Sequence, residues 1–173
     1  SRVSRGLGDV YKRQPMYLGD SNSAKVIYEF VDYNCGYCQK FHQELINVMN
    51  DNSLKLVIIQ MPILGNFSEE LTKLALASSL QGQFKVVHNY LYSTERKSKM
   101  EDILADLFLR GVDLDILKND LESQEVSDFL SIHRSYADEF KFTGTPATII
   151  GNQIIPGFID ADKITEILEK EFS

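Results

Sequence analysis

The chain has 173 residues, of which 43% are hydrophobic and 25% are charged, as in an ordinary globular domain. A chain of this length buries a core without cross-links, so its cysteines are not needed as structural staples. The formal net charge of −7 argues against nucleic acid as a partner, and no apolar run is long enough for membrane insertion.

Residues 1–14, SRVSRGLGDVYKRQ, form a segment without helical or strand periodicity. The segment is rich in Gly, Ser and Arg, and it lacks the apolar core of a secretion signal. We predict that it is an adaptor-derived stretch or a disordered tail. If it is adaptor-derived, any native export signal lies outside this sequence.

Residues 15–65 predict a β-α-β unit, the N-terminal half of an α/β fold. A β-prone run at Val26–Val31 has the pattern of a strand buried on both faces. Apolar residues then recur at helical spacing between Phe41 and Met49, and the apolar stretch 54–64 predicts a second buried strand. This order implies two parallel strands joined by a right-handed crossover.

Residues 66–142 contain no strand-like run and predict an inserted all-helical subdomain. We expect Asn66 and Ser68 to cap its first helix. Residues 143–173 predict the order β-β-α, with a hairpin turn at 151–152 before the last helix. The whole chain therefore predicts an α/β fold whose two halves are separated by helices.

Cys35 and Cys38 are the only cysteines, and Gly36 and Tyr37 lie between them. A structural zinc site needs four ligands, but the sequence has no second CxxC and no HxxxH pair. Haem attachment needs a histidine directly after the second cysteine, where this chain has Gln39. A CxxC that follows a buried strand and opens a helix is typical of a redox dithiol, which needs no cofactor and no metal.

The predicted position gives the two thiols different properties. Cys35 is expected at the first helical turn, where unpaired backbone N–H groups and the helix dipole stabilise a thiolate nucleophile. Cys38 is expected one turn later and deeper, where it can close a ring with Cys35. Gly36 keeps the approach to Cys35 open, whereas Tyr37 adds no positive charge.

The three histidines are scattered along the sequence. His133 falls on an apolar helical stripe, which predicts a hydrogen-bonded core residue. His42 follows Cys38 by four residues and is expected at the surface or at an edge. His88 has no predicted partner.

Three pieces of the sequence occur in an order known from one family: EFVDYNCGYC, a long helical block, and TGTPATIIGN followed by IPG. On these pieces the chain, from about Leu18 to its C-terminus, resembles the DsbA-like thiol-disulfide oxidoreductases. The resemblance implies a thioredoxin-like fold with a helical insertion, with Cys35 as nucleophile and Cys38 as resolving cysteine. It also implies that Pro146 is the family's cis-proline, preceded by Thr145.

The same resemblance implies roles for the residues around the dithiol. The backbone of Thr145, beside Pro146, is expected to pair with an extended substrate, and Gly36 and Tyr37 are expected at the same substrate-binding surface. Glu29 is expected to take the proton of the resolving thiol when that thiol attacks a mixed disulfide. The alternative is that Glu29 lies at a strand edge and points to solvent.

The predicted function is disulfide exchange with reduced or misoxidised protein substrates in the periplasm or another extracytoplasmic space. A membrane or soluble redox partner is expected to recycle the dithiol, and we predict a monomer. Well-known members carry Pro-His between the cysteines, whereas Gly-Tyr resembles the subgroup with trimeric disulfide isomerases and copper-stress relatives. Two alternatives stay open: a disulfide isomerase, and a protein that binds Cu(I) through both thiolates.

Overall fold

The computed structural model describes residues 16–173, so the predicted tail at 1–14 lies outside the described residues. Within them the chain forms five strands and seven helices. The strands are β1 Tyr17–Gly19, β2 Val26–Val31, β3 Lys55–Gln60, β4 Ala147–Ile150 and β5 Gln153–Pro156. The helices are α1 Gly36–Asp51, α2 Asn66–Ser79, α3 Phe84–Leu91, α4 Met100–Leu109, α5 Leu114–Leu121, α6 Gln124–Glu139 and α7 Ala161–Glu171. None of the helices in the described part combines the length and the apolar character needed to cross a lipid bilayer.

The strands form one sheet in the order β1-β3-β2-β4-β5. β2 and β3 are parallel, with α1 between them in sequence, and the other neighbouring pairs are antiparallel. Helices α2 to α6 lie in sequence between β3 and β4. The predicted α/β class, a thioredoxin-like β-α-β and β-β-α order separated by helices, is confirmed. The division of the chain at residues 66 and 143 stays a prediction.

Three local details differ from the predictions. The edge strand β1 is absent from the predicted elements, because three residues are too few to show a period of two. β3 ends at Gln60, whereas the predicted strand continues to residue 64. Gly65, with a φ of 101°, is the N-cap residue of α2, and no side chain caps this helix, so the prediction that Asn66 and Ser68 cap it is wrong.

The sheet buries apolar side chains on both faces, which fixes the position of β2. On one face, Phe41 and Leu45 of α1 are wholly buried in the larger core. On the other face, Phe30 of β2 packs edge-to-face against Phe142, with ring centroids 4.7 Å apart. Burying one such side chain stabilises the fold by about 1.5–3 kcal/mol. A polar side chain on β2 is therefore shut off from water by packed layers above and below the sheet.

Candidate redox site

Cys35 is the N-cap residue of α1, where the chain leaves the loop after β2 and enters the helix. Its backbone is extended, with φ −88° and ψ 116°, and its sulfur accepts a hydrogen bond from the backbone N–H of Cys38 at 3.2 Å. The side chain of Cys35 is partly exposed, and both cysteines are free thiols. A backbone donor and the positive end of the helix dipole thus both face this sulfur, which stabilises negative charge on it.

Cys38 lies in the first turn of α1 and is wholly buried. Burial raises the pKa of its thiol well above the usual range, and the hydrogen bond to Cys35 adds to the rise. The thiolate is the nucleophile in disulfide exchange. A thiol with a raised pKa is protonated at neutral pH, so it becomes a nucleophile more readily when a neighbouring group removes its proton.

The segment before β4 approaches Cys35 from the other half of the fold. The thiol of Cys35 donates to the carbonyl oxygen of Thr145 at 3.5 Å, across 110 positions of sequence. The Thr145–Pro146 peptide bond is cis, and Pro146 is buried. The carbonyl of Pro146 accepts a hydrogen bond from the Gly157 N–H at 2.8 Å, which ties this segment to the end of β5. The structure thus brings Thr145 and Pro146 together with the dithiol.

Glu29 lies on the central strand β2 and has no exposed surface. The alternative that it points to solvent at a strand edge is therefore wrong. Burial raises the pKa of Glu29 from the ordinary value of 4.5 to about 8. Among the described residues neither carboxylate oxygen has a hydrogen-bond partner, and the hydroxyl of Thr148, opposite on β4, has none either. Burial also raises the pKa of the Tyr92 hydroxyl. Negative charge on Cys38 and on Glu29 raises this pKa further.

Gly36 and Tyr37 form the outer surface of the CxxC turn. A Cβ atom at Gly36 would meet no atom within 4 Å apart from its chain neighbours and the backbone of its own helix, so this side of the turn is open. Tyr37 is 63% exposed, and its ring centroid lies 6.4 Å from that of Phe158 in the loop after β5. Leu64, in the loop after β3, is another exposed apolar side chain. Tyr37 and Phe158 give the site an apolar rim on one side.

Comparison with known proteins identifies the family. The family model described as Thioredoxin matches residues 12–170. This chain belongs to the thioredoxin family. The predicted resemblance to DsbA-like thiol-disulfide oxidoreductases, with protein disulfide oxidoreductase as the enzyme class, is confirmed by the relatives described next.

Two solved structures and one curated protein cover most of the chain. A thioredoxin-like oxidoreductase from Silicibacter pomeroyi is 27% identical, with a TM-score of 0.85 over 94% of this chain and 95% of that one. The thiol-disulfide exchange protein alpha-DsbA2 from Wolbachia pipientis is 25% identical, with a TM-score of 0.82 over 98% and 96% of the two chains. The "Probable disulfide bond formation protein D" of Bacillus cereus is 23% identical, over 89% of this chain and 77% of its own length.

Asp32 is a buried carboxylate of this thioredoxin-family chain that the sequence analysis did not single out. One oxygen accepts the Asn34 N–H at 2.8 Å and the Ser68 hydroxyl at 2.7 Å. The other accepts the N–H groups of Ile63 and Leu64 at 2.9 and 3.0 Å. Asp32 has no exposed surface. It therefore ties the loop before Cys35 to the loop after β3 and to the first turn of α2.

The structure contradicts the predictions for His42 and His88 and agrees with the prediction for His133. His42 is only 8% exposed and stacks on Tyr92, so its predicted surface position is wrong, and burial lowers its pKa to about 4. His88 does have a partner, the Tyr33 hydroxyl at 2.7 Å from its Nδ1. His133 is a hydrogen-bonded core residue, as predicted, since its Nδ1 accepts the Gln60 N–H at 2.9 Å. Helical spacing alone does not show that His88 of α3 and Tyr92 directly after it cover this face of α1.

Proposed function

We propose that this chain exchanges disulfides with protein substrates through the pair Cys35-Gly-Tyr-Cys38. The observation that carries the proposal is the asymmetry of the two sulfurs. Cys35 is partly exposed at the start of α1, 3.5 Å from the Thr145 carbonyl, while Cys38 is wholly buried in the turn below it. A substrate sulfur therefore reaches Cys35 and not Cys38.

In the oxidising direction, a substrate thiolate attacks the Cys35 sulfur of the disulfide form. The Cys38 sulfur leaves with the electron pair of the broken bond and takes up a proton. A second substrate thiolate then attacks the substrate sulfur of the mixed disulfide, and Cys35 leaves as a thiolate. The substrate loses two electrons and the protein dithiol gains them; reduction of a substrate disulfide is the same sequence reversed.

Glu29 is the proposed proton acceptor and donor for Cys38. A carboxyl with a pKa of about 8 changes its protonation state near neutral pH, where general acid–base catalysis is most effective. The thiol of Cys38 is the group that needs such a partner, because burial raises its pKa.

The backbone of Thr145 and the apolar rim are the proposed substrate-binding surface. An extended peptide beside Cys35 has the Thr145 backbone on one side, next to Pro146. Gly36 and Tyr37 follow Cys35 in the same turn, and the ring of Phe158 lies 6.4 Å from that of Tyr37. Apolar side chains next to a substrate cysteine are accessible in chains that have not completed folding. This surface therefore favours reduced or misoxidised protein substrates.

An extracytoplasmic location and a recycling redox partner belong to the same proposal. Structural disulfides persist in oxidising compartments and are rare where thiols are kept reduced. A dithiol that oxidises substrates is left reduced after each turn, so a membrane or soluble oxidant must restore its disulfide. We propose that the chain acts as a monomer. No specific observation favours the isomerase or the Cu(I)-binding alternative.

Cysteine variants are expected to trap the substrate asymmetrically. Cys38→Ala should accumulate mixed disulfides on Cys35, because the resolving thiol is lost, while Cys35→Ala should trap none. The measurement is non-reducing electrophoresis with a reductant-treated lane for each variant, after incubation with a disulfide-containing protein substrate. Equal trapping in both variants, or trapping in neither, would reject Cys35 as the nucleophile.

The reduction potential is expected to be less oxidising than that of Pro-His members, which is about −120 mV. The residue at the position of their histidine is the neutral Tyr37, so no cation there stabilises the reduced form. Tyr37→His is the matched variant, and its potential should be higher than that of the wild type. Equilibration in glutathione redox buffers measures both proteins. A wild-type potential at or above that of the Pro-His enzymes would contradict the electrostatic argument.

A further inference from the structure

A cavity of about 220 Å³ opens beside Cys35, on the side of the helical insertion. One wall is the turn that carries Asn34, Cys35 and Gly36. The opposite wall is the segment after α3, which includes Ser93 and Arg96. Polar side chains thus surround this cavity, in contrast to the apolar rim at Tyr37. Its volume suits one small polar group rather than a drug-sized molecule, whose sites occupy about 300–1,000 Å³.

Arg96 is the cation that lines this cavity, and it forms no ion pair with a carboxylate of the described residues. Its Nη1 donates to the Tyr33 carbonyl at 2.8 Å, and its Nη2 donates to the Asn34 side-chain oxygen at 3.1 Å. These bonds use two of its five N–H donors. Among the described residues, no carboxylate oxygen lies within 4.0 Å of its guanidinium.

The acids near Arg96 are engaged elsewhere. The adjacent Glu95 pairs with Arg110 at 2.7 Å. The charge of Asp32 acts on Arg96, but both Asp32 oxygens already accept hydrogen bonds from other groups. Arg96 is therefore a half-buried guanidinium held in place by neutral acceptors. A guanidinium in this state pairs well with an incoming carboxylate, since its planar donors match the two carboxylate oxygens.

We propose that this cavity binds a carboxylate carried by the thiol that reacts with Cys35, and that Arg96 recognises it. The inference rests on the proposed function and adds a substrate preference to it. The chain carries a net charge of −7, so a preference for anionic thiols runs against its overall field and requires a local cation. The carboxylate belongs either to a small acidic thiol or to an acidic residue next to a substrate cysteine.

The reaction that reports on this site is reduction of the disulfide form by small thiols. One thiolate attacks Cys35 and displaces the Cys38 sulfur, and a second attacks the bound thiol's sulfur and displaces Cys35. Two thiols become one disulfide, and the protein disulfide becomes a dithiol. Three probes differ in the charge near sulfur: 3-mercaptopropionate is anionic, 2-mercaptoethanol is neutral and cysteamine is cationic.

Arg96→Gln should lower the rate constant for 3-mercaptopropionate about fivefold to tenfold, relative to its effect on 2-mercaptoethanol. The cysteamine rate should stay equal or rise. Arg96→Lys should retain part of the preference. Lys163→Gln removes an exposed positive charge of α7 that pairs with Glu166. This control should leave the rate constants of the three thiols unchanged relative to one another. If Arg96 acts only by holding the loop at Tyr33 and Asn34, the three thiols slow by the same factor, which overturns the inference.

A second measurement needs only the wild type. If Arg96 attracts the carboxylate, added salt lowers the rate ratio of 3-mercaptopropionate to 2-mercaptoethanol, because salt screens the attraction. If only the net negative charge acts, added salt raises this ratio, which overturns the inference. The salt dependence of the wild type therefore tests carboxylate recognition by Arg96 even if the Arg96→Gln variant does not fold.

Cysteine peptides distinguish the two sources of the carboxylate. Paired peptides carry Glu or Gln beside the cysteine and are otherwise identical. A preference for the Glu peptide that disappears in Arg96→Gln assigns the site to protein substrates, and a preference confined to 3-mercaptopropionate assigns it to small acidic thiols. Absence of both overturns the inference. Failure of every thiol to reduce the disulfide form through Cys35 would instead reject the proposed function itself.

Discussion

Glu29→Gln is expected to make the protein more stable at pH 7 by about 3 kcal/mol, as an order of magnitude, and to have a smaller effect at pH 4. Burial raises the pKa of Glu29 from 4.5 to about 8. Between these two values the folded state binds more protons at this site than the unfolded state does. The contribution of Glu29 to stability is therefore fully present below pH 4.5 and is lost as the pH rises through about 8.

The measurement is the free energy of unfolding in urea at a series of pH values, for wild type and variant in the same redox state. The difference between the two proteins should grow steadily from pH 4.5 to 8. Glu166→Gln is the matched control, because Glu166 is 69% exposed and its removal should leave the pH dependence in this window unchanged. A difference that does not vary with pH would show that Glu29 ionises normally in the folded protein.

The same variant tests the proposed catalytic role of Glu29. If its carboxyl exchanges a proton with Cys38, resolution of the mixed disulfide should slow by roughly 10²-fold at neutral pH, a usual size for general acid–base catalysis. A gain in stability together with this loss in rate would show that the buried carboxyl is retained for chemistry. An unchanged rate profile would leave Glu29 without a role in proton transfer.

Asp32→Ala is expected to destabilise the fold by about 3–5 kcal/mol, because it leaves buried donors without an acceptor. The wild-type carboxylate accepts three backbone N–H groups and the Ser68 hydroxyl. A loss of this size is a large share of the roughly 5–15 kcal/mol that separates folded from unfolded domains. Urea denaturation at pH 7 measures it.

Asp113→Ala is the matched control for Asp32→Ala. Asp113 also accepts two backbone N–H groups, from Asp115 and Ile116 at 3.0 Å each, but it is exposed at the N-terminus of α5. Water replaces the lost acceptor there, so this change should cost about 1 kcal/mol. If both variants lost the same stability, burial of the Asp32 network would not be the cause of its effect.

Periodicity in the sequence was sufficient to predict the strands and helices that carry the redox pair. The apolar run at β2, the helical spacing of α1 and the CxxC between them place Cys35 at a helix start, where the structure has it. The position of Thr145 beside Cys35 came from the family resemblance, because no local pattern connects residues 110 positions apart.

The features missed from the sequence depend on packing between distant segments. Asp32 follows a strand, and its sequence position is that of an ordinary acidic loop residue. The groups at 63, 64 and 68 that donate hydrogen bonds to its carboxylate come close only when β3 is placed beside β2. His42 looks like a surface residue because its cover, Tyr92, comes from the helical block. The pattern of β2 predicts a strand buried on both faces, which agrees with the burial of Glu29, but it does not reveal that β2 lies between β3 and β4.

The central place of β2 in the sheet has a consequence for synthesis of the protein. One neighbour of β2 is β3, which follows soon after it, but the other is β4, which follows the whole helical block. At about 5–20 residues per second, the 110 positions between Cys35 and Thr145 take roughly 5–20 s to make. During that interval one edge of β2 is unpaired and the Thr145 side of the dithiol is uncovered. Until β4 is made, a growing chain therefore presents an unpaired sheet edge and a Cys35 thiol that lacks its Thr145 partner.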